Sequence, residues 1–177
     1  MGQPGVRCLR TCSLSFSRVN EIERIVDQLR RAFEGNAWSG PSVLEILAGV
    51  VPEQAVAKPL PGAHSIWENL LHIGTDHDVV RRRLLGEVIV ELPPDQDWPP
   101  VPEPTPDAWT QAVEQLKRTH QRLLETVARL APERLEEEVP SMGYSVYVML
   151  HGVAQHALYH AGQIAILKKA QTKGGRG

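Results

Sequence analysis

Residues His156–Ile164 read "HALYHAGQI" and place two histidines four residues apart in an apolar segment. Four residues is slightly more than one helical turn, so on a helix His156 and His160 share one face. The same face is continued by apolar residues: Met149, Val153, Ile164 and Leu167. Because this stripe is where core residues belong, two imidazoles on adjacent turns must find partners for their ring nitrogens in a region that offers few.

Two explanations of the pair stay open at this point. A divalent metal ion can be held by two imidazoles at positions i and i+4 of a helix, or hydrogen bonds from neighbouring helices can satisfy two core histidines. A metal needs a further ligand, and the second predicted helix offers His72 and His77. Periodicity favours His77, which shares a line with Ile73 and Val80. His72 lies roughly 120° away from that line, at 3.6 residues per turn.

The other three histidines are given separate interpretations, and the absence of several known motifs excludes some classes of enzyme. His120 falls on an apolar stripe and is interpreted as a core-edge histidine, His151 as facing another neighbour, and His64 as lying at a site mouth or on the surface. The sequence contains no Glu-x-x-His of the kind that di-iron bundles use and no H-E-x-x-H of a zinc protease. Walker and G-x-S-x-G motifs are also absent.

Four segments carry helical periodicity. A capping box of Ser65 and Glu68 marks the start of the second segment. Thr105 as N-cap and Pro106 at the first helical position mark the start of the third. A further half-length helix is predicted in the apolar stretch 42–50. The four long helices are predicted within residues 16–35, 65–86, 106–130 and 145–170.

Residues 93–106 read "PPDQDWPPVPEPTP" and contain seven prolines, which predicts extended, stiff chain without helix. Such a linker can run the whole length of the second helix, so the second and third helices need not be antiparallel neighbours. No strand alternation or internal repeat is present. The sequence therefore predicts an all-α four-helix bundle with long crossover connections. We expect one domain over residues 16–172, a mobile leader over 1–15 and a flexible tail over 173–177.

Net charge and composition argue against a nucleic-acid-binding, membrane-spanning or secreted protein. The 177 residues carry a net charge of −2, so no basic footprint for nucleic acid is present. No apolar run reaches the length of a membrane span, and residues 1–15 lack the apolar block of a secretory signal. Cys8 and Cys12, the two cysteines, are interpreted as reduced thiols in the leader in preference to a CxxxC metal or redox pair. A cytoplasmic location is predicted.

The strings "SIWENLLHI" on the second helix and "HGVAQHALYHAGQI" on the fourth resemble the DinB/YfiT-like superfamily of bacterial four-helix-bundle metalloproteins. The resemblance covers roughly residues 16–170. It implies three metal ligands at His72, His156 and His160, and so selects His72 over His77. It also implies a homodimer and one divalent ion per chain, Zn²⁺ or Ni²⁺. Relatives include bacillithiol S-transferases and mycothiol-dependent maleylpyruvate isomerase, which implies a low-molecular-weight thiol cosubstrate.

Three protein ligands leave a coordination position open, as in catalytic zinc sites. The predicted function is an enzyme in which the ion activates a thiol or water against a small-molecule substrate, by S-transfer or hydrolysis. Asp76, His77 and Gln163 are candidates to orient the ligand imidazoles or take a proton. Glu68 is assigned to the capping box. The alternative is a non-catalytic, dimeric metal-binding bundle that acts in stress response or through a protein partner.

Overall fold

The computed structural model describes residues 20–173, and the regular elements within this range are helices without a β-strand. The predicted leader with Cys8 and Cys12, and residues 174–177 of the predicted tail, lie outside the described residues. The all-α prediction is confirmed. None of the described helices combines the length and apolar character needed to cross a membrane. The elements are α1 (Glu21–Glu34), α2 (Val43–Leu47), α3 (Pro52–Val56), α4 (Ile66–Leu84), α5 (Pro94–Asp97), α6 (Pro106–Ala128), a short 3-10 helix (Pro132–Glu136) and α7 (Val146–Lys173).

The four long helices, α1, α4, α6 and α7, match the four segments predicted from periodicity. α4 begins at the predicted capping box, in which the backbone N–H of Ser65 donates to the Glu68 carboxylate at 2.6 Å and Ser65 Oγ accepts from Glu68 N at 3.1 Å. α6 begins at Thr105, whose Oγ1 accepts from Ala108 N at 3.1 Å. Asn20 caps α1, whose first residue, Glu21, lies five residues after the start of the predicted segment.

Each long helix packs against two of the other three. α4 contacts both α6 and α7, and α1 contacts the same two helices. Two apolar clusters fill the interior, one around Trp67, Leu70 and Ile164 and the other around Leu123 and Leu150. Since α4 lies between α6 and α7, a wide part of its surface is buried. The buried surface of α4 carries histidine and asparagine side chains as well as the apolar side chains of the first cluster.

The connections between long helices are long, as predicted, and contain short helices. The half-length helix predicted in 42–50 is present as α2, which Ser42 caps. The prediction that the proline-rich linker contains no helix is wrong for one turn, α5, which begins at Pro94. Proline has no backbone N–H, but the N–H at the first helical position has no partner within the helix, so nothing is lost there. Pro93 and Pro94 can therefore begin the turn. α3 begins in the same way at Pro52.

Candidate metal centre

Three imidazoles meet where α4 faces α7. His72 comes from α4, and His156 and His160 come from adjacent turns of α7. One nitrogen from each ring lies within 4.8 Å of a nitrogen from the other two. The ring centroids are 4.3 Å apart between His156 and His160, and 5.0 and 4.8 Å from these to His72. The structure therefore brings together the three residues that the family resemblance selected.

The position of His72 explains why helical periodicity favoured another residue. His72 lies off the apolar line of α4, yet it is only 7% exposed because α7 and the proline-rich linker cover that flank. His77 lies on the apolar line and is buried elsewhere, with its ring centroid 5.7 Å from that of Phe33 and 5.1 Å from that of His120. The candidate centre is thus off the axis of the helix packing, on the α4–α7 side.

The orientation of His160 is fixed by two amides. Its Nδ1 lies 2.7 Å from Asn69 Oδ1 and 3.1 Å from Gln163 Oε1. The Asn69 amide is itself oriented, since its Nδ2 donates to the backbone oxygen of Ser65 at 2.8 Å. Two oxygen acceptors at Nδ1 place the proton on Nδ1 and leave a lone pair on Nε2. Gln163, a predicted orienting residue, therefore contacts a candidate ligand.

His156 is oriented by a carboxylate. Its Nδ1 lies 2.7 Å from Asp76 Oδ2, so Nδ1 donates and Nε2 again carries the lone pair. Burial raises the pKa of Asp76, but the hydrogen bond from His156 and the nearby imidazoles outweigh this and hold the pKa below its ordinary value of 3.8. Asp76 is therefore ionised at neutral pH. Of the three predicted orienting residues, Asp76 and Gln163 contact the candidate ligands, whereas His77 packs against Phe33 and His120.

The linker orients His72. The backbone oxygen of Asp97 lies 2.9 Å from His72 Nδ1, and one oxygen of its carboxylate lies 3.3 Å away. Trp98 stacks on the face of the same ring, with centroids 3.9 Å apart and planes 7° from parallel. His64 stacks on the other face of Trp98 at 3.6 Å. Sequence reasoning missed Asp97 and Trp98, although a tryptophan within a proline-rich segment was an available signal.

The donor set fits a divalent cation. The Nε2 atoms of His156 and His160 are 2.9 Å apart, and both rings already donate through Nδ1. Two lone pairs at this distance repel unless a cation or an extra proton lies between them. Burial lowers the pKa of His160 to about 4, and the imidazoles of His156 and His72 add to this effect, so this ring resists the extra proton at neutral pH. Imidazole nitrogens are ligands that zinc and nickel accept.

A second group of potential ligands overlaps the first and consists of His72, Asp76 and Asp97. Its two carboxylates face different nitrogens of His72, since Asp97 Oδ1 is nearest to Nδ1 and Asp76 Oδ2 lies 3.7 Å from Nε2. A single ion bound to one nitrogen of His72 would leave one of these carboxylates on the far side of the ring. The three-histidine group has no such conflict, and we assign the candidate centre to it.

Two cavities lie near the linker. The larger, about 750 Å³, runs between α4 and α6 and is lined by none of the three histidines. A smaller one, about 270 Å³, is lined by Gln163 and His64 together with Leu60, Ile166 and Leu167. None of the three histidines lines the smaller cavity either, because Gln163 separates it from His160, and His64 and Trp98 separate it from His72.

The remaining histidines have separate environments. His120 is 2% exposed and stacks on Phe33 with centroids 3.8 Å apart, as expected of a core-edge histidine. His151 lies beside Tyr147, away from the three-histidine group. Burial lowers the pKa of His77 to about 4 and that of His120 to about 2, so both are neutral at pH 7.

Comparison with models of protein families matches residues 37–164 to the DinB superfamily. The match covers well over half of the chain and includes α4, α6 and the part of α7 that carries His156 and His160. No curated protein and no solved structure matches the chain.

Proposed function

The chain belongs to the DinB superfamily, and from this premise we propose that it is a divalent-metal-dependent enzyme that activates a low-molecular-weight thiol or water for transfer or hydrolysis. The proposal is carried by one observation: His72, His156 and His160 each meet an oxygen through Nδ1, which leaves three Nε2 lone pairs for one ion, Zn²⁺ or Ni²⁺. This is the arrangement in which outer hydrogen bonds fix the tautomer and direction of metal-binding imidazoles.

Access to the site supports a catalytic role in preference to a structural one. Three protein ligands leave a position for an outside ligand. The His156 side chain is 31% exposed, whereas His160 is buried, so solvent and small molecules reach the group from the His156 side. A closed structural site would instead surround the ion with protein on all sides.

A bound divalent ion would lower the pKa of a thiol or water that it coordinates and so supply a nucleophile at neutral pH. The protein's part is orientation. Asn69 and Gln163 hold His160, and Asp76 holds His156. Because the pKa of Asp76 lies below 3.8, this carboxylate is a weak proton acceptor at pH 7, where a general base with a near-neutral pKa is most effective. We therefore assign Asp76 to positioning.

The substrate is proposed to be a small molecule that reaches the ion from the partly exposed His156 side. The 270 Å³ cavity is not the place for it, because Gln163 separates that cavity from His160 and contacts this ring at Nδ1, the nitrogen that would face away from the ion.

The test is turnover by zinc-loaded protein in two assays. One supplies glutathione, cysteine or 2-mercaptoethanol with a chromogenic chloronitrobenzene electrophile, and the other supplies a nitrophenyl ester without thiol. We expect turnover in at least one assay, and a loss of more than about 100-fold in His156→Ala and His160→Ala, since even outer-shell changes cost 10 to 100-fold. His151→Ala, on another face of α7, is the matched control. Turnover that both ligand variants retain would contradict the proposal.

A homodimer is proposed as the assembly, with α7 as its interface. Residues 146–167 contain no aspartate, glutamate, lysine or arginine, and Val148, Tyr159 and Ile166 are between 52% and 64% exposed along this helix. An uncharged, partly apolar face can pair with a copy of itself without like-charge repulsion. The uncharged face of α7 also favours the second candidate function, a non-catalytic metal-binding dimer. Absence of turnover in both assays would support that alternative.

A further inference from the structure

The proline-rich linker touches the helices through very few residues. Between residues 93 and 100, only Asp97, Trp98 and Pro99 are partly buried, and α5 has no buried residue. Its polar contacts to α4 are the one from His72 Nδ1 to Asp97 and a 3.3 Å hydrogen bond from Thr75 Oγ1 to the backbone oxygen of Gln96. Trp98 also approaches His160, with ring centroids 5.8 Å apart, and Val101 packs against the first apolar cluster, but the hydrogen bonds from this part of the linker to α4 are made at His72 and Thr75.

The contacts of Asp97 and Trp98 constrain the His72 ring in two different ways. The hydrogen bond to the backbone oxygen of Asp97 fixes the rotation of the ring in its own plane, because Nδ1 must point at that oxygen. The stacked indole of Trp98 fixes the tilt of the ring plane. Together they determine the direction of Nε2. Among the described residues no other group makes a hydrogen bond to His72, since Asp76 Oδ2 is 3.7 Å from Nε2.

His72 differs in this respect from the other two candidate ligands. Asn69, Asp76 and Gln163, which orient His160 and His156, belong to the long helices α4 and α7. The groups that orient His72 belong to a linker. One of the three imidazoles is thus positioned by a linker segment, whereas the other two are positioned by residues of the long helices.

We propose that Asp97 and Trp98 form a clamp that docks on His72 and directs its Nε2 toward the metal, and that bound metal in turn stabilises the docked linker. The proposal rests on the proposed function, because it assumes that the three histidines bind an ion. The second half follows from the first, since coupling between two binding events is reciprocal. The prolines that flank the clamp favour docking, because they reduce the conformational freedom that the linker loses.

The first test compares zinc affinities of the full-length chain by competition with a chromophoric chelator. Trp98→Ala is expected to weaken binding by about 10 to 100-fold, the usual effect of losing an outer-shell partner. Trp98→Phe keeps a stacking ring and is expected to stay within about threefold of wild type, since stacking is the stated cause. Trp38→Ala, which removes a fully exposed tryptophan, is the matched control. The Co²⁺ absorption spectrum of Trp98→Ala is expected to differ from wild type, a change that a general loss of stability would not produce.

The second test needs no variant. Hydrogen exchange of residues 91–103 in the wild-type chain is expected to slow when zinc is added, while exchange in α1, which is distant in sequence and holds none of the ligands, stays unchanged. The proposal is overturned by unchanged exchange in this segment, by wild-type affinity in Trp98→Ala, or by an equal loss in Trp98→Phe. Equally weak zinc binding by the wild type and His156→Ala would contradict the proposed function itself. If only His156→Ala loses zinc, the proposed metal site stands, and the results for Trp98→Ala and Trp98→Phe test the clamp alone.

Discussion

Nε2 of His156 and Nε2 of His160 lie 2.9 Å apart, and Nδ1 of each ring is hydrogen-bonded to a side-chain oxygen of α4. The opposed lone pairs make a cation the natural occupant of the space that they share. We expect purified protein to hold about one divalent ion per chain, with at least about a tenfold loss of affinity in His156→Ala and in His160→Ala.

Elemental analysis after dialysis against low-micromolar zinc measures this directly. His151→Ala serves as the control, since it removes an imidazole from α7 that lies beside Tyr147 and outside the three-histidine group. Equal metal content in the wild type and in both ligand variants would rule out the assignment.

His72, and not His77, is expected to be the third ligand. His72→Ala should lose metal affinity, and it should cost less stability than His77→Ala because its ring packs against the linker and not in the interior of the helix packing. His77→Ala should keep metal affinity and lose about 2 to 4 kcal/mol of stability, since it empties a core position that is 1% exposed. Zinc titration and urea unfolding of the two variants separate the effects. An experimental structure with a His77 nitrogen about 2.1 Å from the ion would contradict the assignment.

The comparison of these two residues shows what periodicity can and cannot predict. The four long helices and their caps at Ser65 and Thr105 follow from local patterns, because helix starts and apolar stripes are set by residues near one another in sequence. Periodicity predicts which residues face the core, and it correctly places His77 there. A site between α4 and α7 lies on the flank of α4, and only the family resemblance pointed to His72.

Asp97 and Trp98 could not be found in the same way. Their roles depend on where a linker of about 20 residues crosses α4, a long-range relationship that no local period encodes. The one-turn helix α5, which brings Asp97 to His72, was excluded by the proline content, although prolines at a helix start are compatible with a turn. The ligand residues could be predicted from their residue types. The groups that orient His72 could not, because they depend on where the linker crosses α4.

The buried histidines next to Phe33 are expected to make the metal-free protein acid-sensitive. Burial lowers the folded-state pKa of His77 from 6.5 to about 4 and that of His120 to about 2. Between pH 6.5 and 4 the unfolded chain binds more protons than the folded one, so stability is full above pH 6.5 and falls as the pH drops. His77 alone accounts for about 3 kcal/mol at pH 4, at 1.36 kcal/mol per pH unit.

Urea unfolding of chelator-treated protein at several pH values between 7 and 4 tests this expectation. His120→Leu removes one titrating ring at similar volume and should flatten the fall, whereas His64→Leu, a change at a partly exposed imidazole outside this cluster, should not. An identical pH dependence in the wild type and in His120→Leu would show that the buried ring does not titrate in this way.

The exposed face of α7 is expected to mediate self-association. Tyr159→Lys places a charge at the middle of an uncharged face and sets two like charges near one another in a symmetric pair, so a dimer should dissociate at least about tenfold more readily. Light scattering after gel filtration at several concentrations measures the mass. Glu125→Lys, a charge change on the exposed side of α6, is the control. A wild-type chain that stays monomeric at high concentration would contradict this expectation.

Removal of the metal is expected to leave the helices folded. Three neutral imidazoles that solvent can reach through His156 cost little when no ion is bound, since water can hydrogen-bond to their Nε2 atoms. The two apolar clusters bury far more surface than the site does, and burial contributes about 25 cal/mol per Å². The apo protein should therefore differ from a zinc finger, which folds only with its metal.

Far-UV circular dichroism during a chelator titration, followed by thermal unfolding, measures both parts of this expectation. The helical signal at room temperature should change little, while the midpoint of unfolding should fall by several degrees, because an ion that binds only the folded state stabilises it by mass action. His156→Ala, already deprived of the site, should show no further shift on chelation and so controls for effects of the chelator itself. Loss of most of the helical signal in the wild type would show that the ion is structural, and would favour the non-catalytic alternative over the enzyme.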